Sequence, residues 1–311
     1  MNSRSATHFL VPLLGALAIG ALVLLSVLGG REDHPSSALA SVAAIPAEPL
    51  LSAEAYTVRL VGAGETLLSR RGGKRVAPAS LTKLMTAVVA AEKLAAADTP
   101  VVSENAKAVE ERRSPAKAGD AFGRDDLIRM ALVASANDAA LALAEATGAK
   151  VGHLAYPDRM QAFVQLMNGK ARILGLDDTH FENPTGLDGP GHYASAADLA
   201  RLAEYMLARH TLFLEMTRQS EAAVLSVGGS RYALSNTNEL LQEFPALRGG
   251  KTGFTDNAKG ALLLLYPVRS VRSSTPNISQ VAIIVILKSD DRFGDGRKII
   301  QWLEKYGSGN Q

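Results

Sequence analysis

Pro78-Ala79-Ser80-Leu81-Thr82-Lys83-Leu84-Met85-Thr86-Ala87 is the stretch on which the reading of this chain turns. After Pro78 the apolar residues Leu81, Leu84, Met85, Val88 and Val89 recur at helical spacing, so a buried helix is predicted from about Ser80. Residues three apart share one helix face, which brings the Lys83 amine within reach of the Ser80 hydroxyl. A serine hydroxyl attacks poorly unless a base takes its proton. A lysine can be that base if burial and a nearby cation keep it neutral, and Lys251 is a candidate for the cation. The ordinary alternative is a helix-capping serine beside a surface lysine.

Taken alone, Ser-x-x-Lys is a weak signal. Ser114-Pro115-Ala116-Lys117 repeats it, and Ser103-Glu104-Asn105 imitates a second motif, Ser135-Ala136-Asn137. Ser114, however, sits beside a proline in a charged, loop-like stretch with no apolar helix to carry it. What distinguishes the chain is an ordered triplet: Ser80 to Lys83, then Ser135-Ala136-Asn137, then Lys251-Thr252-Gly253.

Outward from the triplet, Tyr56, Val58 and Leu60 alternate with smaller or polar residues, and Thr66-Leu67-Leu68 follows a glycine-rich break, predicting an opening β-hairpin. Helical patterns cover 125–146 with a polar break at Ser135-Ala136-Asn137, and recur at 158–174, 195–208 and 295–306. Segments 222–227 and 231–235 flank Gly228-Gly229 as a second hairpin, while 261–266 and 280–287 are apolar enough for core strands. Strands at both ends and helices between predict an α+β domain: an antiparallel sheet built from both chain ends, flanked by helices, with a mainly helical middle.

The triplet and its flanks resemble the low-molecular-mass D-alanyl-D-alanine carboxypeptidases, within the superfamily of penicillin-binding proteins and serine β-lactamases. The resemblance runs from about Val58 to Tyr306. Besides the triplet it is carried by Asp138-Ala139-Ala140, Met167-Asn168, Phe181-Glu182-Asn183-Pro184-Thr185-Gly186-Leu187, His192-Tyr193 and Phe254-Thr255. It implies that Ser80 attacks the carbonyl between two terminal D-alanines of a peptidoglycan stem peptide, with Lys83 as base and water resolving the acyl-enzyme. Ser135 would relay a proton to the leaving amine, Asn137 would hold Lys83 and the substrate amide, and Lys251 with Thr252 would bind the terminal carboxylate. The oxyanion donors would be the backbone N–H groups of Ser80 and Phe254, Gly253 would let substrate lie along its strand, and β-lactams would acylate Ser80. No cofactor is implied.

Arg248 stands where many relatives carry Asp-Gly and an apolar residue before the lysine. It either tunes the carboxylate pocket or is a solvated strand-end residue. Lys259, inserted between Ala258 and Gly260, predicts a local effect. Glu182 lies in a peptidase-like context, not the Glu-x-x-Leu-Asn of a class A β-lactamase. Cleavage of a D-alanyl cross-link, a serine β-lactamase and a non-catalytic penicillin sensor remain alternatives to the carboxypeptidase.

Over 311 residues, 33 Lys and Arg face 31 Asp and Glu, which offers no electrostatic case for nucleic acid. With no cysteine there is neither a thiol nucleophile nor a thiolate metal site, and the six histidines show no metal-ligand spacing. Gly250-Lys251-Thr252 is no phosphate loop, because Pro245 occupies the place of its first glycine. Phe9 to Leu28 is uncharged and as long as the ~20 residues a helix needs to cross a bilayer. Residues 1–30 are therefore expected to be a transmembrane anchor, or a signal segment if cleaved. Arg4 before the span and Arg31-Glu32-Asp33 after it place the N-terminus inside and the rest outside the membrane. Residues 31–55, with Pro35, Pro46 and Pro49, are expected to form a flexible tether to a catalytic domain over 56–311.

Overall fold

The computed structural model describes residues 46–62, 64–153, 155–269 and 279–308. The expected membrane span lies outside them. Among the described residues no helix is long and apolar enough to cross a membrane.

Strands β1 (Ala55–Leu60) and β2 (Thr66–Arg70) form the predicted opening hairpin. A 3-10 turn, Ala79–Leu81, leads into α1 (Thr82–Lys93), followed by α2 (Glu104–Lys107), α3 (Arg124–Val133) and α4 (Asn137–Lys150). Next come α5 (Tyr156–Ile173), α6 (Ala196–Arg209) and α7 (Thr211–Met216), then the hairpin β3 (Glu221–Leu225) and β4 (Arg231–Ser235). The chain closes with α8 (Leu240–Glu243), β5 (Gly250–Thr255), β6 (Lys259–Arg269), β7 (Ser279–Ser289) and α9 (Arg292–Ser308). The main sheet runs β2-β1-β7-β6-β5, antiparallel at each pairing, so the first strands join the last as expected from their positions in the chain.

The central strands read as continuous apolar runs because both of their faces are buried. In β7, Ile283, Val285 and Leu287 enter a core shared with α1, α3, α4, α5 and α6, while Ala282, Ile284 and Ile286 enter another shared with α8 and α9. β6 alternates in the same way, with Leu263 and Leu265 on the first side and Leu262, Leu264 and Tyr266 on the second. β5 is left at the sheet edge, against the 3-10 turn that holds Ser80.

The expected tether reaches too far. Leu51 and Ala53 are buried in the second core, Trp302 Nε1 donates to Pro46 O at 3.0 Å, and Lys298 Nζ donates to Leu50 O at 3.0 Å. The packed part therefore begins by Pro46 instead of Tyr56. Scattered prolines conceal this in the sequence, because a strap docked on a helix needs no periodicity of its own.

Candidate active site

Ser80 lies one residue before α1, and the alternative of a capping serine with a surface lysine fails on both counts. Helix α1 has no side-chain cap, and the Lys83 side chain is fully buried. Lys83 Nζ stands 2.9 Å from Ser80 Oγ and donates to Thr185 O at 2.6 Å. Burial, and then the positive charge of Arg112, push the Lys83 ammonium down to about 7, partly opposed by Asp138. Arg112 is thus a cation acting on Lys83 besides Lys251, whose own ammonium is lowered by Lys83. When the amine is neutral its lone pair can accept the Ser80 O–H, as a general base requires.

The turn bearing Ser80 is clamped from two sides. Ala79 is held at φ 48°, a conformation that costs a non-glycine residue about 1 kcal/mol. On one side Gly186, at φ +88°, lies so near Ala79 O that any Cβ would collide with that carbonyl. On the other, a Cβ on Gly253 would stand 2.9 Å from Ala79 Cβ and from Ser80 N. Gly253 thus lets β5 lie against the nucleophile turn, a use separate from the expected passage for substrate.

Ser135, in the break between α3 and α4, has φ 58° and accepts from Lys251 Nζ at 2.7 Å. Lys251 also donates to Thr252 O at 2.9 Å. Its ammonium is held well below the usual lysine range, first by burial and then by Lys83, Arg112 and Arg292. Thr252 Oγ1 and Thr237 Oγ1 are 2.5 Å apart. Asn137 lines the same cleft but does not bond Lys83: its Nδ2 donates to Glu111 O at 2.9 Å, and its backbone N–H to Arg112 O at 2.8 Å. Asn137 thereby holds the loop that carries Arg112. Buried Asp138 braces the same loop, accepting from Ser114 N at 2.9 Å, Ser114 Oγ at 2.8 Å and Lys107 Nζ at 2.7 Å. That is the structural use of the decoy Ser114. The other decoy, Ser103, caps α2 by accepting from Ala106 N at 3.0 Å.

The motif residues between the second and third blocks form a brace behind Lys83. Asn168 bonds Phe181 at both backbone atoms, at 2.9 and 2.8 Å. Asn183 Oδ1 accepts from Thr185 N at 3.1 Å and Gly186 N at 2.8 Å, setting the carbonyl that Lys83 meets. His192 Nδ1 accepts from Glu182 N at 3.2 Å, so the ring proton sits on Nε2, 2.8 Å from Thr82 Oγ1. Burial pushes the His192 imidazolium down to about 4, which keeps the ring neutral.

These groups surround a cleft lined by Ser80, Arg112, Ser135, Asn137, Thr252 and Gly253, among others. Phe254, 53% exposed, and Arg292 complete one end. Sequence reasoning missed Arg292. Its guanidinium lies 5.8 Å from the Phe254 ring centroid and 4.6 Å from that of Phe293, and its Nε is buried with no hydrogen-bond partner. A guanidinium lining the cleft with Thr252, its charge felt by Lys251, is suited to a carboxylate. Arg248, in contrast, is exposed and outside the cleft lining, so it is the solvated strand-end residue. Glu182 is also outside that lining. Lys259 takes φ 52° in the tight β5–β6 turn, a local effect as expected.

A sequence profile described as D-alanyl-D-alanine carboxypeptidase, Peptidase S11, matches residues 42–282. The chain belongs to this family. The S11 chain is 33% identical over 204 residues to the D-alanyl-D-alanine carboxypeptidase DacF of Bacillus subtilis, which covers 64% of this chain but 50% of that relative. It therefore spans half the length of that protein. To a D-alanyl-D-alanine endopeptidase of Pseudomonas aeruginosa it is 29% identical over 84% of its own length and 80% of the relative. The Streptomyces K15 DD-transpeptidase structure shares the S11 chain's fold, with a TM-score of 0.72 at 24% identity over 82% of this chain and 98% of that one.

Proposed function

We propose that the chain is a serine D-alanyl-D-alanine carboxypeptidase that removes the terminal D-alanine of peptidoglycan stem peptides. The observation carrying this reading is a fully buried lysine amine 2.9 Å from the hydroxyl of Ser80, in a cleft lined by Arg112 and Arg292; burial and Arg112 push that ammonium down to about 7. Neutral Lys83 takes the Ser80 proton as Oγ forms a bond to the penultimate D-alanine carbonyl. The backbone N–H groups of Ser80 and Phe254 receive the developing oxyanion. Ser135, bonded to Lys251, passes its proton to the departing D-alanine amine as the C–N bond breaks and regains one from protonated Lys83, which leaves an ester on Ser80 and Lys83 neutral again. Water, deprotonated by Lys83, then attacks that ester and restores the hydroxyl.

Lys251, Thr252 and Arg292 bind the terminal carboxylate, which makes the enzyme an exopeptidase. Asn137 takes part by holding the Arg112 loop and by presenting its amide oxygen to the substrate backbone. β-Lactams acylate the same serine, since they carry a carboxylate beside a strained amide. The uncharged Phe9 to Leu28 segment supports placing residues 1–30 in the membrane, with the catalytic domain on the cell-wall side. Incubation of the full chain with a pentapeptide ending in D-alanyl-D-alanine tests the reading. Catalytic release of free D-alanine is expected. A single turnover would mark a penicillin sensor, and cleavage confined to cross-linked muropeptides would mark an endopeptidase.

A further inference from the structure

We infer that the strap over residues 46–55 is part of the machinery for substrate selection: through Asp295 it positions Arg292. This inference rests on the proposed role of Arg292 in carboxylate binding. Arg292 opens α9, and its buried Nε has no hydrogen bond to fix it. Its placement therefore depends on where the first turn of α9 is held. That turn is held by Asp295, one turn on from Arg292 and 1% exposed.

The Asp295 carboxylate joins three separate parts of the chain. It accepts from Ser52 N at 2.9 Å, Ser52 Oγ at 2.8 Å and Ala53 N at 2.9 Å in the strap, and from Ser289 Oγ at 2.7 Å at the end of β7. Lys298 Nζ is farther away, at 3.9 Å. Ser52 Oγ is also 3.1 Å from Ser289 Oγ, and Asp291 N donates to Ser52 Oγ at 3.2 Å. Ser289 in turn pairs with Gly260 of β6. A Cβ on Gly260 would lie 2.8 Å from Ser289 O and 2.9 Å from Arg292 Cβ, so the backbone at Gly260 forms the wall against which Arg292 stands. The path is closed: strap to Asp295, Asp295 to Ser289, Ser289 to Gly260, and Gly260 to Arg292. Charge-assisted bonds from two backbone N–H groups and two hydroxyls are strong and directional, which suits a positioning residue. Trp302 and Lys298 hold the rest of the strap to the same helix, through the carbonyls of Pro46 and Leu50. A domain cut at Tyr56 would lose the contacts made by Pro46, Leu50, Ser52 and Ala53 and leave Asp295 with Ser289 alone of its hydrogen-bond donors.

The experiment measures how strongly the full chain prefers a carboxylate. It compares an acyl-D-alanyl thioester ending in thioglycolate with the methyl ester of the same compound, following thiol release from both. Three variants are read against wild type: Arg292→Ala, Asp295→Asn and the milder Ser52→Ala, which keeps the strap backbone and guards against a misfolded Asp295 variant. Asp295→Asn is expected to lower kcat/KM for the free acid about 10-fold or more, chiefly through KM, and Ser52→Ala about 3-fold, with methyl-ester turnover within about twofold of wild type in both. If Arg292→Ala abolishes the preference while both other variants keep it, the positioning role is wrong and the carboxylate site stands. Equal losses on acid and ester in the Asp295 and Ser52 variants also overturn it, by showing a general structural role. Retention of the preference by Arg292→Ala removes the carboxylate reading itself.

Discussion

Replacing Gly253 by alanine separates two explanations of that glycine. The added Cβ would stand 2.9 Å from Ala79 Cβ and Ser80 N, and 3.3 Å from Pro78 O. Ordinary contact begins near 3.4 Å, so β5 and the nucleophile turn must part by about 0.5 Å. The turn has no room to retreat, because Gly186 abuts Ala79 O on its far side. Overpacking of this kind costs about 1–3 kcal/mol, a fall in Tm of about 2–10 °C for a domain of this size. The chemical cost is larger. The two proposed oxyanion donors belong to Ser80 and Phe254, on opposite sides of the widened contact. Misplacing one such donor slows acyl transfer about 100-fold or more. Stopped-flow acylation by a fluorescent penicillin, together with calorimetric melting, measures both effects. We expect acylation to fall about 100-fold with a lowered Tm. If Gly253→Ala slows only long peptide substrates, leaving penicillin acylation and Tm near wild type, the packing explanation is refuted and the glycine serves substrate passage.

The pH dependence of acylation follows from Lys83, which must be neutral to accept the Ser80 proton. The rate should rise as pH passes about 7, and Arg112→Gln, by removing a cation, should move that limb to higher pH and lower the rate at pH 6 about 3–10-fold. An unmoved limb would assign the titration to another group. His192 makes a separate prediction about stability. Its ring is pushed down to about 4 in the fold, below its unfolded value of about 6.5, so its contribution is complete above that unfolded value. The contribution is lost as pH falls from 6.5 through 4, by up to about 3 kcal/mol, because the unfolded chain binds the proton more readily. Urea unfolding of His192→Gln should show a shallower loss over that interval, and an identical slope would contradict the assignment.

How much of this was legible in the sequence depended on whether local chemistry was sufficient. Helix α1 and its Ser80–Lys83 contact follow from the three-residue spacing and the apolar period, both of them local. That the sheet joins both chain ends followed from the apolar strands there, whereas its order came from the structure. Arg292 was not legible: it lies far from every motif in the chain, and it reaches the cleft only because β6 and β7 carry α9 back to Ser80. Nothing in the composition marks it apart from other arginines. Arg112 was hidden in the charged loop that made Ser114 look like a decoy, and buried Asp138 gives that loop its shape. Asn137 was correctly placed in the cleft, but its partner proved to be Glu111 O, because the break between α3 and α4 packs against that loop. Gly253 was singled out in the sequence, but its packing against Ala79 was not legible there, since a missing side chain looks the same whether substrate or backbone fills the space.

The account depends most on Ser80 as the nucleophile activated by Lys83. Peptide mapping by mass spectrometry after brief exposure to benzylpenicillin tests this directly. The account predicts a penicilloyl adduct on the peptide containing Ser80, absent in Ser80→Ala and formed far more slowly in Lys83→Ala. An adduct on Ser135, or equal labelling of Ser80→Ala and wild type, would contradict it.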